Sequence, residues 1–228
     1  MNLKEYWIQI TFCAFLVCEI IFFGVPLIAL IPNPELKCLA ALLMTPIVPL
    51  LVISGIAWKI HGKEMWKELG FKPLNKSDIK PILSVIPVFV VFTGATCLVK
   101  MVGYEPPPQQ LVTISGNSPV WLFIAVLFSA GILAPLSEEL MFRCTTAGFF
   151  KKLFPEQRWV YYVFPSVLFA LCHGIIWQSF LLFFLALYLQ KHFTEGSTTR
   201  VILMHAMFNW CSLSLLILVR AGLIPATV

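Results

Sequence analysis

The sequence predicts an all-α fold, a multi-pass transmembrane bundle of about seven helices (six to eight) around a polar intramembrane cavity. Three observations predict it. Hydrophobic residues make up 59% of the chain and charged residues 12%, against roughly 45–50% and 25% in soluble domains. The apolar residues fall in runs near the ~20 residues that a helix needs to cross about 30 Å of hydrocarbon. The ionisable residues that interrupt those runs are few and concentrate in the later segments.

The first run, 6–31, is too long for the 7–15 residue apolar core of a secretory signal, and no small-residue cleavage site follows it. It is read as a retained anchor. After a second run at 37–58 comes a basic loop, 59–80, in which Trp66, Leu69 and Phe71 alternate with lysines. That mixture suits a segment lying at the interface against anionic headgroups. A third run at 81–102 leads to the loop 103–118, where Pro106, Pro107 and Pro108 forbid a helix and favour an extended connection. The fourth run, 118–150, would measure about 50 Å as a straight helix, more than the hydrocarbon is thick. Gly131 and Pro135 place a kink near 131–136, with freed carbonyls that neighbours or water must satisfy. Runs at 159–175, 178–190 and 201–219 complete the chain. With no room left for a soluble module, 1–228 reads as one membrane domain whose catalytic core is 118–220.

Orientation follows lysine and arginine in short loops. With a cytoplasmic N-terminus, only Lys37, Lys100 and Arg220 of the 16 basic residues fall on the far side. The N-terminus is therefore placed inside. The same topology accounts for the +5 charge through membrane lipids, without nucleic acid as a partner. The seven cysteines show no CxxC pair and read as small buried hydrophobes. His61 and His192, among lysines, read as solvated surface.

Ionisable side chains inside a span are costly, so each one invites a functional hypothesis. Here they are Glu19, the adjacent Glu138 and Glu139 with Arg143, then His173 and His205. Glu19 is taken as structural. In APLSEELMFR, Glu139 and Arg143 stand at i and i+4, where carboxylate and guanidinium can pair. Glu138 is turned about 100° away, faces another helix, and is the candidate general base. FALCHG sets Phe169 and His173 one turn apart; HAMFN does the same for His205 and Asn209.

Among peptide-cutting chemistries, absences discriminate. There is no HExxH, no GxSxG, and Asp78 in the basic loop is the single aspartate, so a buried aspartate dyad is impossible. Glutamate with histidine remains. EELMFR, FALCH and HAMFN, in this order, resemble the EExxxR, FxxxH and HxxxN motifs of the CPBP family of intramembrane glutamic endopeptidases. That family includes type II CAAX prenyl endopeptidases and Abi-type bacteriocin-processing or immunity proteins. The LGF of WKELGFKPL is also similar to a recurring family feature. Cys144 and Thr145 depart from the usual glycine and apolar residue after the arginine, which leaves the subfamily open.

The resemblance implies a hydrolase that cuts a peptide bond near the membrane-associated end of an anchored or lipidated protein or peptide, in a bacterial plasma membrane. Glu138 and His173 would activate water, His205 and Asn209 would stabilise the oxyanion, and Glu139 with Arg143 would hold the helix in register. The reading taken is metal-free, with no cofactor; if zinc were bound, Glu138, His173 and His205 would be its ligands. Alternatives are a zinc-dependent peptidase, a catalytically silent immunity or binding protein on the same scaffold, and a small transporter. One geometric difficulty stands. At about 1.5 Å per residue, Glu138 and His173 lie some 20 Å from the nearest basic end of their helices, but His205 lies only about 8 Å beyond Arg200. Either the loop 195–199 folds inward, or the last helix is tilted and displaced.

Overall fold

The structure is a computed structural model that describes residues 3–19, 28–105, 118–174 and 176–224. Its described residues form seven helical rods and no strand. These are α1 (Leu3–Glu19), α2 (Pro34–Glu68, bent at Gly62), α3 (Lys76–Met101), α4 (Val120–Leu153), α5 (Arg158–Leu171), α6 (Ile176–Glu195) and α7 (Thr198–Arg220). The three prolines of the 103–118 loop lie outside the described residues, as does the side chain of Glu19.

Four rods, α2, α3, α4 and α7, are long and apolar enough to cross a membrane. Their outward surfaces fit that solvent. On α3, Val90, Val91 and Leu98 are 62–66% exposed, a row that water would disfavour at about 25 cal/mol per Å² of apolar area. The chain is an integral membrane helical bundle.

Local sequence explains the helix ends. Asn33 caps α2, its side chain accepting the Leu36 N–H at 2.9 Å, with Pro34 at the first helical position. Asn75 and Asp78 form a reciprocal capping box at the start of α3. Ser197 caps α7 through the Arg200 N–H at 3.2 Å.

α4 is the central rod, packing against α2, α5 and α7. It spans its 34 residues with two π-helical stretches, Ser129–Leu133 and Leu140–Thr146, which bracket the α-helical turn Ala134–Glu139. The expected break near 131–136 is therefore a π-bulge. Pro135 offers no N–H and crowds the carbonyl one turn back, and the Ala134 N–H reaches five residues back to Ser129 O. In the second stretch the hydroxyls of Thr145 and Thr146 donate to the carbonyls of Leu140 and Met141, again five residues back (3.0 and 2.8 Å).

Three packing expectations change. Leu69, expected at the interface, is buried, while Trp66 beside it remains exposed. His192 is only 13% exposed at its side chain and lies against the Tyr188 ring at 4.7 Å; His61 sets its ring edge-on to Trp7 at 5.1 Å with Nε2 shut away from the surface. Neither is a solvated surface histidine. Of the described cysteines, Cys144 is buried but Cys13, Cys97 and Cys172 are exposed.

Candidate active site

Glu138 and Glu139 sit at the end of the short α-turn between the two π stretches, and successive positions there point in different directions. Glu139 is fully buried. Its Oε2 lies 3.1 Å from Arg143 Nε, an ion pair at the expected i, i+4 spacing, and its Oε1 accepts a hydrogen bond from His205 Nδ1 at 2.8 Å. The Arg143–Glu139 approach is a charge contact without hydrogen-bond alignment. Arg143 is also fully buried, its guanidinium 5.2 Å from the centre of the Phe169 ring, where the ring face attracts the cation.

Glu138 points elsewhere, as its rotation around the helix requires. Its Oε2 is 4.0 Å from His173 Nε2 and 3.8 Å from His205 Nε2. That oxygen is closed off from the surface and accepts no hydrogen bond among the described residues, although the side chain as a whole is 23% exposed. His173 stands just beyond the end of α5, in a turn closed by its own N–H to Ala170 O (3.2 Å) and by Gly174 at φ +67°. Its Nδ1 is 2.8 Å from Phe169 O. A backbone carbonyl can only accept, so Nδ1 carries the proton and Nε2, in the neutral ring, presents a lone pair to Glu138. The carboxylate of Glu139 imposes the same tautomer on neutral His205.

Phe169 joins these parts. Wholly buried, it lies 4.9 Å from the His173 ring, 5.7 Å from His205 and 5.3 Å from Phe142, besides carrying Arg143 over its face. The sequence marked Phe169 only as a motif position; that it forms the wall between both histidines and the arginine is visible only in three dimensions.

Asn209 is held differently. Its Nδ2 donates to Ala130 O at 2.8 Å. That carbonyl is the one orphaned by the π-bulge: its α-helical donor, the Ala134 N–H, is spent on Ser129 O, and its π-helical donor would be Pro135, which has none. The freed carbonyl expected near the kink is thus satisfied by α7. One amide hydrogen of Asn209 is committed there, and the second has no acceptor among the described residues.

The first turn of α7 is covered by the turn between α2 and α3. Ser197 and Thr198 are buried, Thr198 fully, and the Thr198 N–H donates to Gly70 O at 3.0 Å. α7 therefore begins inside the protein, and His205 reaches Glu139 from there.

Residues 119–211 match the family described as Type II CAAX prenyl endopeptidase Rce1-like. The match covers less than half of the chain and spans all three motifs. No curated protein and no solved structure matches the chain. The Rce1-like segment contains Glu138, Glu139, Arg143, His173, His205 and Asn209 together, and agrees with the CPBP resemblance of the three motifs. The matched family is one of prenyl endopeptidases, which are hydrolases.

The same residues bear on whether a metal could sit between them. Zinc bonded at about 2.0–2.2 Å to each ligand would bring ligand atoms to within about 3.4 Å of one another in a tetrahedron. The Glu138–histidine separations of 4.0 and 3.8 Å are wider, and among the described residues no three His, Cys, Asp or Glu are grouped to hold a metal ion.

Proposed function

We propose that the chain is an intramembrane endopeptidase in which Glu138 activates a water to hydrolyse a peptide bond near the prenylated or membrane-embedded end of its substrate. One observation carries the reading: a buried, unpartnered carboxylate oxygen, Glu138 Oε2, faces the Nε2 atoms of two histidines at 4.0 and 3.8 Å. With Nδ1 of each neutral ring committed as a donor, these three atoms are all acceptors. A water supplies the two protons that they lack.

Glu138 and His173 accept those two protons, leaving a lone pair of the water oxygen free for the scissile carbonyl carbon. As the C–O bond forms, the water proton passes to Glu138, general-base catalysis worth typically 10²–10⁴-fold. The carbonyl oxygen becomes an oxyanion. In the neutral ring His205 Nε2 only accepts; a proton taken from solvent before the step makes the ring a cation, held beside the Glu139 carboxylate, that donates to the oxyanion from Nε2. The uncommitted amide hydrogen of Asn209 is the second donor, and one such donor is worth about 10²–10³. Collapse of the intermediate breaks the C–N bond, Glu138 returns its proton to the leaving nitrogen, and a carboxylic acid and an amine result.

The test uses purified protein in liposomes with a farnesylated reporter peptide ending in a CAAX sequence. Cleavage is expected with the native chain and none above background with Glu138→Gln or His173→Ala, both still inserted and accumulating. Near-native proteolysis by either variant would sink the mechanism. An inactive native chain would favour the silent binding scaffold.

A further inference from the structure

The turn between α2 and α3 is tied along its length to the first turn of α7. Leu69 O accepts the Thr198 hydroxyl at 2.5 Å and the Cys144 thiol of α4 at 3.1 Å. Gly70 O accepts the Thr198 N–H. The Thr199 hydroxyl donates to Lys72 O at 2.8 Å and receives the Lys72 N–H at 3.2 Å, while Lys72 Nζ donates to Gly196 O at 3.1 Å. At the end of this strap Asp78 Oδ1 meets Arg200 Nε at 2.5 Å, with side chains only 4% and 12% exposed. The second carboxylate oxygen of Asp78 is held by the Asn75 N–H at 2.8 Å.

Gly70 is required for so close an approach. It adopts φ +76°, and a Cβ there would stand 2.8 Å from Thr198 Oγ1.

These bonds bear on the site because, apart from His205 itself, the Asn209 bond to Ala130 O and the Arg220 bond to Ser118 O, α7 packs on its neighbours largely through apolar side chains. Contacts between apolar surfaces in lipid do little to fix how far one helix slides along another, since lipid tails are as apolar as leucine. A slip of one residue moves a side chain by about 1.5 Å and turns it by about 100°. The bond from His205 to Glu139 survives neither. Leu69 O is a common reference: its two donors sit on α4, five residues beyond Glu139, and on α7, seven before His205. Arg200 sits five residues before His205 and is anchored to α3 through Asp78.

We infer that Asp78, paired with Arg200 at the end of the Leu69–Lys72 strap, is a positioning residue that sets the register of α7 and so holds His205 against Glu139 and Glu138. The inference rests on the proposed function. It adds an element outside the Rce1-like segment, and gives the chain's single aspartate a role.

The experiment measures kcat, KM and the pH profile of reporter cleavage in liposomes for the native chain, Arg200→Met, Arg200→Lys, Asp78→Asn and Glu138→Gln. Misplacing a reacting group by about 1 Å can cost about 10²-fold, so Arg200→Met and Asp78→Asn are expected to lose at least tenfold in kcat with KM little changed. Arg200→Lys, which keeps the charge, is expected to recover most of it. The midpoint of the pH profile is expected to move as well, because His205 is faced by Glu138 and Glu139 of α4, with Arg143 behind Glu139 and His173 across Glu138. Mere loss of folded protein would scale the profile without moving it. If Arg200→Met does not accumulate, Asp78→Asn carries the same expectation. Native kcat and an unmoved profile in the folded variants, with Glu138→Gln inactive, would overturn the inference. Activity retained by Glu138→Gln would instead overturn the proposed function.

Discussion

His205 donates a hydrogen bond from Nδ1 to Glu139 Oε1 at 2.8 Å, and its Nε2 thereby stands 3.8 Å from Glu138. The two adjacent glutamates act on opposite edges of one imidazole: the buried one orients the ring and the half-open one meets its working nitrogen. The pair is therefore unequal in stability as well as in chemistry. Glu139→Gln removes the charge that faces Arg143, and breaking a buried ion pair from one side typically costs about 3–5 kcal/mol. Glu138→Gln removes a carboxylate oxygen that has no hydrogen bond to lose. Thermal unfolding in detergent should show a clear drop in Tm for the first and none for the second, although both lose cleavage. Equal destabilisation would contradict this division.

In the proposed mechanism Glu138 and His173 hold one water between them, so their contributions should not add. Groups that act as a unit lose most of their value when either goes. The double variant Glu138→Gln/His173→Ala is expected to be no slower than the worse single variant, within about threefold. Single-turnover rates on the farnesylated reporter decide it. Multiplying losses would mean that the histidine acts apart from the glutamate's water.

How far the site could be read from the chain divides along a physical line. The Glu139–Arg143 pair and the divergence of Glu138 follow from helical geometry within one segment, and both are where the spacing puts them. The break at Pro135 was legible too, because proline removes a known bond. What could not be read were contacts set by the relative depth of separate helices. His205 meets Glu139 across 66 positions of sequence, and counting from Arg200 placed it too shallow. That count assumed Arg200 to be at the surface, whereas it is 12% exposed and paired with Asp78. Asp78 could be placed in the basic loop from the chain; only the packing shows that it pairs with α7.

Asn209 has a structural duty that separates from its proposed one. Asn209→Ala leaves Ala130 O without its donor, and an unsatisfied buried polar group costs about 1–3 kcal/mol. It also removes an oxyanion donor worth about 10²–10³ in kcat. Pro135→Ala on the same background offers Ala130 O a backbone N–H again and is expected to recover part of the lost Tm without recovering kcat. Recovery of both would show that Asn209 serves only the bulge.

The fit of α7 to that bulge can be probed at Gly131. A Cβ on this residue would stand 2.8 Å from Trp210 Cε2 and 3.0 Å from its indole nitrogen. Indole is rigid and Trp210 follows directly after Asn209, so the ring cannot yield without moving the helix segment that carries the amide. Forcing a methyl into such a contact typically costs about 1–3 kcal/mol. Gly131→Ala should therefore lower both Tm and kcat, and Trp210→Leu, which removes the indole, should restore kcat in the double variant while costing little by itself. Melting curves and reporter cleavage measured on the three proteins test it. A Gly131→Ala enzyme with native kcat would show that the bulge and α7 can part without disturbing the catalytic groups.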